Sequence, residues 1–168
     1  MQTSFQTCIL GLALALSMAP EVALARTQCD RAARVCVDVP DGWVASTQGE
    51  TLVLAAPDRS LALELRAVTQ LAQLGQARID FERELAGRFL NLQWDGEPRA
   101  IQQNGMAGMG RRGRGQFPSG EPMRFFMLGL AHPTGGIVAL GVISQRNREA
   151  NAPILDAILS SIRPMPAR

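Results

Sequence analysis

Between Met109 and Ser144 the chain runs through three strand-length segments that together make a sheet apolar on both of its faces. Met109 to Phe117, Met123 to His132 and Ile137 to Ser144 are separated only by Pro118 to Pro122 and Pro133 to Gly136, connections short enough for antiparallel hairpins. A five-residue loop at Pro118 to Pro122 sets Phe117 opposite Met123, Gly115 opposite Phe125 and Gly113 opposite Met127, so that large side chains cover bare glycines. The four-residue turn sets Leu128 opposite Gly141 and Phe126 opposite Ile143. Alternation then puts Phe117, Phe125, Met127, Leu140 and Val142 on one face, and Phe126, Leu128, Leu130, Ile137 and Ile143 on the other. A sheet that is apolar on both faces needs a cover on both.

Two segments have the spacing to provide those covers. Phe81, Leu85 and Phe89 recur every four residues with Leu92 three further on, which predicts an amphipathic helix over 70–92, bent near Gly75 and ended by Trp94-Asp95-Gly96-Glu97-Pro98. Its outer side carries Asp80, Glu82, Arg83, Glu84 and Arg88, with Glu84 and Arg88 in the favourable order for a helical ion pair. A second helix over 149–162 offers Ile154, Leu155, Ile158, Leu159 and Ile162, and Pro164-Met165-Pro166 stops it. Upstream, Val35-Cys36-Val37-Asp38-Val39 alternates as a strand, and Trp43 to Thr47, Thr51 to Ala56 and Leu61 to Val68 follow between turns. In the last of these Leu61, Leu63 and Leu65 share one face, Glu64 and Arg66 the other. With a further strand at Arg99 to Gln103, the expectation is an α+β fold, an antiparallel sheet flanked by helices in the order strands, helix, strands, helix.

The opening Val37-Asp38-Val39-Pro40-Asp41-Gly42-Trp43, the mid-chain helix, the glycine-punctuated hairpins and the terminal Ile154-Leu155-Asp156-Ala157-Ile158-Leu159-Ser160-Ser161-Ile162 resemble the PsbP-like α/β/α sandwich, which includes DcrB-like bacterial envelope proteins. The resemblance spans nearly the whole chain after residue 25 and implies that sandwich. It implies a largely non-enzymatic role, as in photosystem accessory subunits, envelope proteins and chaperones of secreted effectors, and it brings no catalytic motif onto any residue here.

Residues 1–25 read as a signal peptide. Ile9 to Met18 is an apolar run, and Ala23-Leu24-Ala25 supplies the small-x-small pattern before Arg26, although the first seven residues lack Arg and Lys. Ten apolar helical residues span about 15 Å, roughly half of a bilayer core, too short for an anchor. Cleavage leaves 143 residues, a single α+β domain over 26–168, with a net charge of +3 from 17 arginines and 14 acids. That balance is too mild for a nucleic-acid binder. Cys29 and Cys36 then remain as a pair in an exported chain, and a disulfide would close an eight-residue loop and tie the N-terminus to the first strand. Their spacing is not C-x-x-C, and no second cysteine pair accompanies them, so a redox or metal role has little to stand on.

Chemistry-bearing motifs are few. Gly108-Met109-Gly110-Arg111-Arg112-Gly113 matches G-x-G-x-x-G, but it leads to a turn rather than opening a helix, so no nucleotide site follows. Arg112, Arg114 and Arg124 fall on one face near a hairpin end, where their guanidiniums can converge on a carboxylate or phosphate. The competing reading is a charged edge strand guarded against aggregation. Met106, Met109, Met123 and Met127 have thioethers suited to copper(I), but lie where core packing needs gap-fillers. His132 is the one histidine, and no G-x-S-x-G surrounds any serine. Asp80 and Glu84, four apart, can share a metal or pair with Arg83 and Arg88. No cofactor is implied. The reading is an exported soluble periplasmic accessory or binding protein, non-catalytic, contacting an envelope protein or an anionic envelope component through Arg112, Arg114 and Arg124. The alternative is a small envelope hydrolase with an unrecognised active site, which a deep polar pocket holding His132 beside a carboxylate would favour.

Overall fold

The structure, a computed structural model, describes residues 26–166; the leader reading falls on residues outside that range. The three hairpin segments pair as neighbouring strands within an eight-stranded antiparallel sheet. In chain order the strands are β1 (Arg26–Asp30), β2 (Val35–Val39), β3 (Val44–Gln48), β4 (Thr51–Ala55), β5 (Leu61–Val68), β6 (Leu90–Trp94), β7 (Arg99–Gln103), β8 (Met106–Gln116), β9 (Pro122–His132), β10 (Gly135–Ser144) and β11 (Arg163–Pro164). The helices are α1 (Leu74–Arg88), entered through a 3-10 turn at Leu71–Gln73, and α2 (Arg148–Ser161), entered through another at Gln145–Asn147. The large sheet runs β3-β4-β5-β10-β9-β8-β6, with β7 also on β8; β1, β2 and β11 make a separate small sheet.

Both hairpins pair two residues away from the expected register. The loop between β8 and β9 begins one residue earlier, so Gly115 faces Met123 and Gly113 faces Phe125; the Phe117 amide donates to the Glu121 carbonyl and closes it. Between β9 and β10 only Pro133 and Thr134 form the turn, because Gly135 takes φ 152° and pairs with His132. Leu128 therefore meets Ala139, and Phe126 meets Gly141. A two-residue shift leaves every side chain on its expected face. A Cβ on Gly113 would stand 2.2 Å from Phe125 Cζ and 2.6 Å from the Gln93 carbonyl oxygen, so this position admits no side chain without rearrangement.

The first face is covered by α1. Phe81 and Leu85 are fully buried against Met123, Phe125, Met127, Val138, Leu140 and Val142. The helix is shorter than its periodicity predicts: Phe89 is already extended, and Leu90–Trp94 is a strand, with half-buried Leu92 and Trp94 alternating with exposed Asn91 and Gln93. Leu92 fits a helical period from Phe89 and a strand period with Leu90 and Trp94, and pairing with β8 decided for the strand. Glu84 and Arg88 are exposed and stand 3.7 Å apart, the helical pair expected, and each also bridges to the sheet. Arg66 donates to both Glu84 carboxylate oxygens at 2.9 and 3.2 Å, and Arg88 is held by Glu64. The Arg66 hydrogen bond holds the Glu84 carboxyl below its ordinary pKa, and Glu64 holds Arg88 above its own.

The second face lies under α2 and the small sheet. Leu155, Ile158, Leu159 and Ile162 join Leu63, Leu65, Leu128, Leu130, Ile137, Val35, Val37 and Val39 in one core. A Cβ on Gly141 would lie 2.5 Å from Leu155 Cδ1, so α2 packs directly on strand backbone there. Val35–Val39, expected as a strand of the main sheet, belongs instead to the small sheet, where Cys29 pairs with Cys36 across β1 and β2 in a disulfide with 4.0 Å between Cα atoms. Asp38 ties its three strands together. It accepts from Arg163 at 2.7 and 2.9 Å and from Thr27 at 2.6 Å, and the Arg163 contact lowers its pKa.

Candidate functional site

Strand alternation puts Arg112 and Arg114 of β8 on the second face, and register puts Arg124 of β9 directly opposite Arg114. The three arginines therefore share one face, as expected. The edge-strand alternative is overturned, because β8 is an interior strand: β7 covers one end of it and β6 the other. At the gap between these two, the Asp95 amide donates to the Arg112 carbonyl at 2.8 Å, and the β6–β7 turn brings the Asp95 carboxylate over the arginines. Arg124 donates to Asp95 at 2.7 Å, with Arg114 at 3.9 Å from the same carboxylate and its Nε bonded to Gln93 Oε1 at 3.0 Å.

Arg112 has a different environment. Its guanidinium lies 5.5 Å from the centre of the half-buried Phe126 ring, a distance compatible with cation–π attraction, and it makes no ion pair or side-chain hydrogen bond among the described residues. Beside it opens a cleft of about 240 Å³ between the first half of α2 and the ends of β8, β9 and β10. Arg112, Arg124, Arg148, Asp95 and Asp156 supply its polar groups; Phe125, Phe126, Ile143, Ala152 and Leu155 supply the apolar part. Arg114 is not in this cleft and lines a neighbouring polar depression with Asn91, Gln93 and Gln116. Sequence reasoning missed Arg148, Asp95 and Asp156. One signal for Arg148 was present: it opens α2, where the helix dipole disfavours a cation.

The remaining candidates have structural partners. His132 is buried, with Nε2 at 3.0 Å from the Ala33 carbonyl and Nδ1 accepting from the Thr134 amide at 3.4 Å, so Nε2 carries the proton and the ring links β9 to the β1–β2 turn. No carboxylate hydrogen-bonds it among the described residues. The methionines do not converge: Met106 is buried in the core under α2, Met123 and Met127 in the core under α1, and Met109 is exposed. Asp80 bonds Gln76 and Arg83, while Glu84 turns to Arg66, so the two do not share a site. The G-x-G-x-x-G segment lies wholly within β8. Among the described residues no three metal-ligating side chains cluster, and no helix is long and apolar enough to cross a membrane.

No family model matches the chain, and no curated protein matches it in sequence. Solved structures do match. The solution structure of cyanobacterial PsbP (CyanoP) from Synechocystis aligns with TM-score 0.61 at 11% identity, over 89% of this chain and 98% of that one. LpqN of Mycobacterium tuberculosis, described as involved in cell envelope biogenesis, aligns with TM-score 0.50 at 14% identity, over 79% of this chain and 83% of that one. A Bacteroides thetaiotaomicron structure aligns with TM-score 0.57 at 10% identity, over 84% of this chain and 49% of that one, so this chain spans about half its length. Identities this low speak for architecture only, and together with the double-faced antiparallel sheet between two helices they establish that the chain has the PsbP-like fold.

Proposed function

We propose that this chain is an exported, non-catalytic envelope accessory protein that works by binding, and that the arginine surface at the ends of β8 and β9 is where it binds. The observation that carries the reading is Arg112 and Arg148 at the mouth of a cleft, with no acidic partner among the described residues. Guanidiniums left free beside an aromatic floor are suited to a carboxylate or phosphate of a partner. The Cys29–Cys36 disulfide supports an oxidising compartment, and a neighbour of the same fold, LpqN, carries an envelope role in its description.

The test is crosslinking in cells followed by pull-down, comparing the native protein with an Arg112→Ala/Arg114→Ala/Arg124→Ala variant of unchanged melting temperature. The expected result is a partner captured by the native protein and lost from the variant. Equal capture by both would remove the arginine surface from the reading.

A further inference from the structure

We propose that the cleft between α2 and the ends of β8 and β9 receives the α-carboxylate of an apolar amino-acid residue, free or at the C-terminus of a polypeptide. This rests on the binding role given above to the arginine surface and names its ligand class. Three observations converge on it.

The first is charge. Three arginines and two aspartates line the cleft, a net charge of one positive unit. Asp95 is engaged by Arg124 at 2.7 Å, which leaves Arg112 and Arg148 as the available cations and Asp156 as the available carboxylate. A monoanion balances that site, whereas a phosphate dianion would face two carboxylates in a confined space. The second is size. At about 240 Å³ the cleft falls below the roughly 300 Å³ at which pockets for drug-sized ligands begin, a volume suited to one amino-acid residue. The third is the floor. Phe126, Ile143 and Leu155 present an apolar surface directly beside the guanidiniums, so a ligand filling the cleft needs an apolar group next to its charge. An amino-acid residue supplies the carboxylate for Arg112 and Arg148, the side chain for that floor and an N–H for Asp156 to accept.

Isothermal titration of the purified, disulfide-bonded protein tests the assignment with N-acetylleucine, N-acetylleucinamide, acetate and inorganic phosphate. N-acetylleucine is expected to bind at least tenfold more tightly than the amide, which lacks the charge, or acetate, which lacks the side chain. Arg112→Ala and Arg148→Ala should each weaken it about tenfold without moving the melting temperature. A leucine-terminated peptide with a free carboxylate that binds more tightly than N-acetylleucine marks a polypeptide terminus as the source, and equal binding marks the free amino-acid derivative. Phosphate binding more tightly than N-acetylleucine, or acetate binding equally well, overturns the ligand class while the anion-binding reading stands. Absence of binding by every probe overturns the assignment, and the reading beneath it falls only if the crosslinking result fails as well.

Discussion

Arg111 and Arg112 are neighbours in sequence and belong to opposite faces of one strand. Arg111 lies 4.5 Å over the Trp94 ring, donates to the Gly96 carbonyl at 2.9 Å and stands 3.7 Å from Glu82 of α1. Arg112 has only the Phe126 ring and open space. The same contrast holds between the faces as a whole. Under α1, Arg66 and Arg88 are matched by Glu84 and Glu64, because α1 and β5 each present an arginine where the other presents a glutamate. Beside α2, an arginine of the helix is added to arginines of the sheet. A guanidinium met by carboxylates holds two elements together, and one left among other guanidiniums is available for a ligand.

The largest way to strain this comparison is through the two cores. Phe81→Ala, at a site with no exposure, should cost about 3–5 kcal/mol in urea unfolding, whereas Leu155→Ala should fall near the low end of about 2–5 kcal/mol. Leu155 lines the cleft, so the space it leaves opens to water instead of remaining an empty cavity. Equal costs would mean that the cleft is closed in solution. The arginines come next. Arg66→Ala should destabilise by about 1 kcal/mol, since it removes a two-point ion pair and a guanidinium packed 4.4 Å over Phe81, while Arg112→Ala should stay within about 0.5 kcal/mol. A large stability loss at Arg112 would make it structural and erase the distinction.

The smallest effect is on pH. Arg66 lowers the Glu84 pKa in the folded state, so between the folded and unfolded values the unfolded chain binds more protons, and stability rises with pH. The contribution is complete above the unfolded value of about 4.3 and is lost as pH falls through the folded one. Acid unfolding profiles of the native protein and a Glu84→Gln variant should converge at low pH and separate above about pH 4.3. Because Glu84 is well exposed, solvent screening keeps the separation small.

Much of this fold was legible because side-chain alternation survives errors of register. Both hairpins slip by two residues from expectation, yet every residue assigned to a face is on it, and the common face of Arg112, Arg114 and Arg124 follows from the same parity. Turn closure was not legible, since whether Gly135 belongs to the turn or the strand depends on its pairing with His132. Neither was the end of α1, where Leu92 fits a helical period from Phe89 and a strand period with Leu90 and Trp94. The candidate site was half visible. Its strand arginines are local in sequence, but Asp95 arrives by a turn and Arg148 and Asp156 arrive on a helix from the far end of the chain.

The sequence by itself determined that the sheet has two apolar faces, that two helices cover them and that three arginines share one side, because these are consequences of side-chain period and burial. Only the tertiary structure decided which charges are neutralised. Ion pairing depends on distances of a few ångströms between segments far apart in the chain, and the docking of α1 closes those distances while the docking of α2 beside β8 and β9 leaves a cleft.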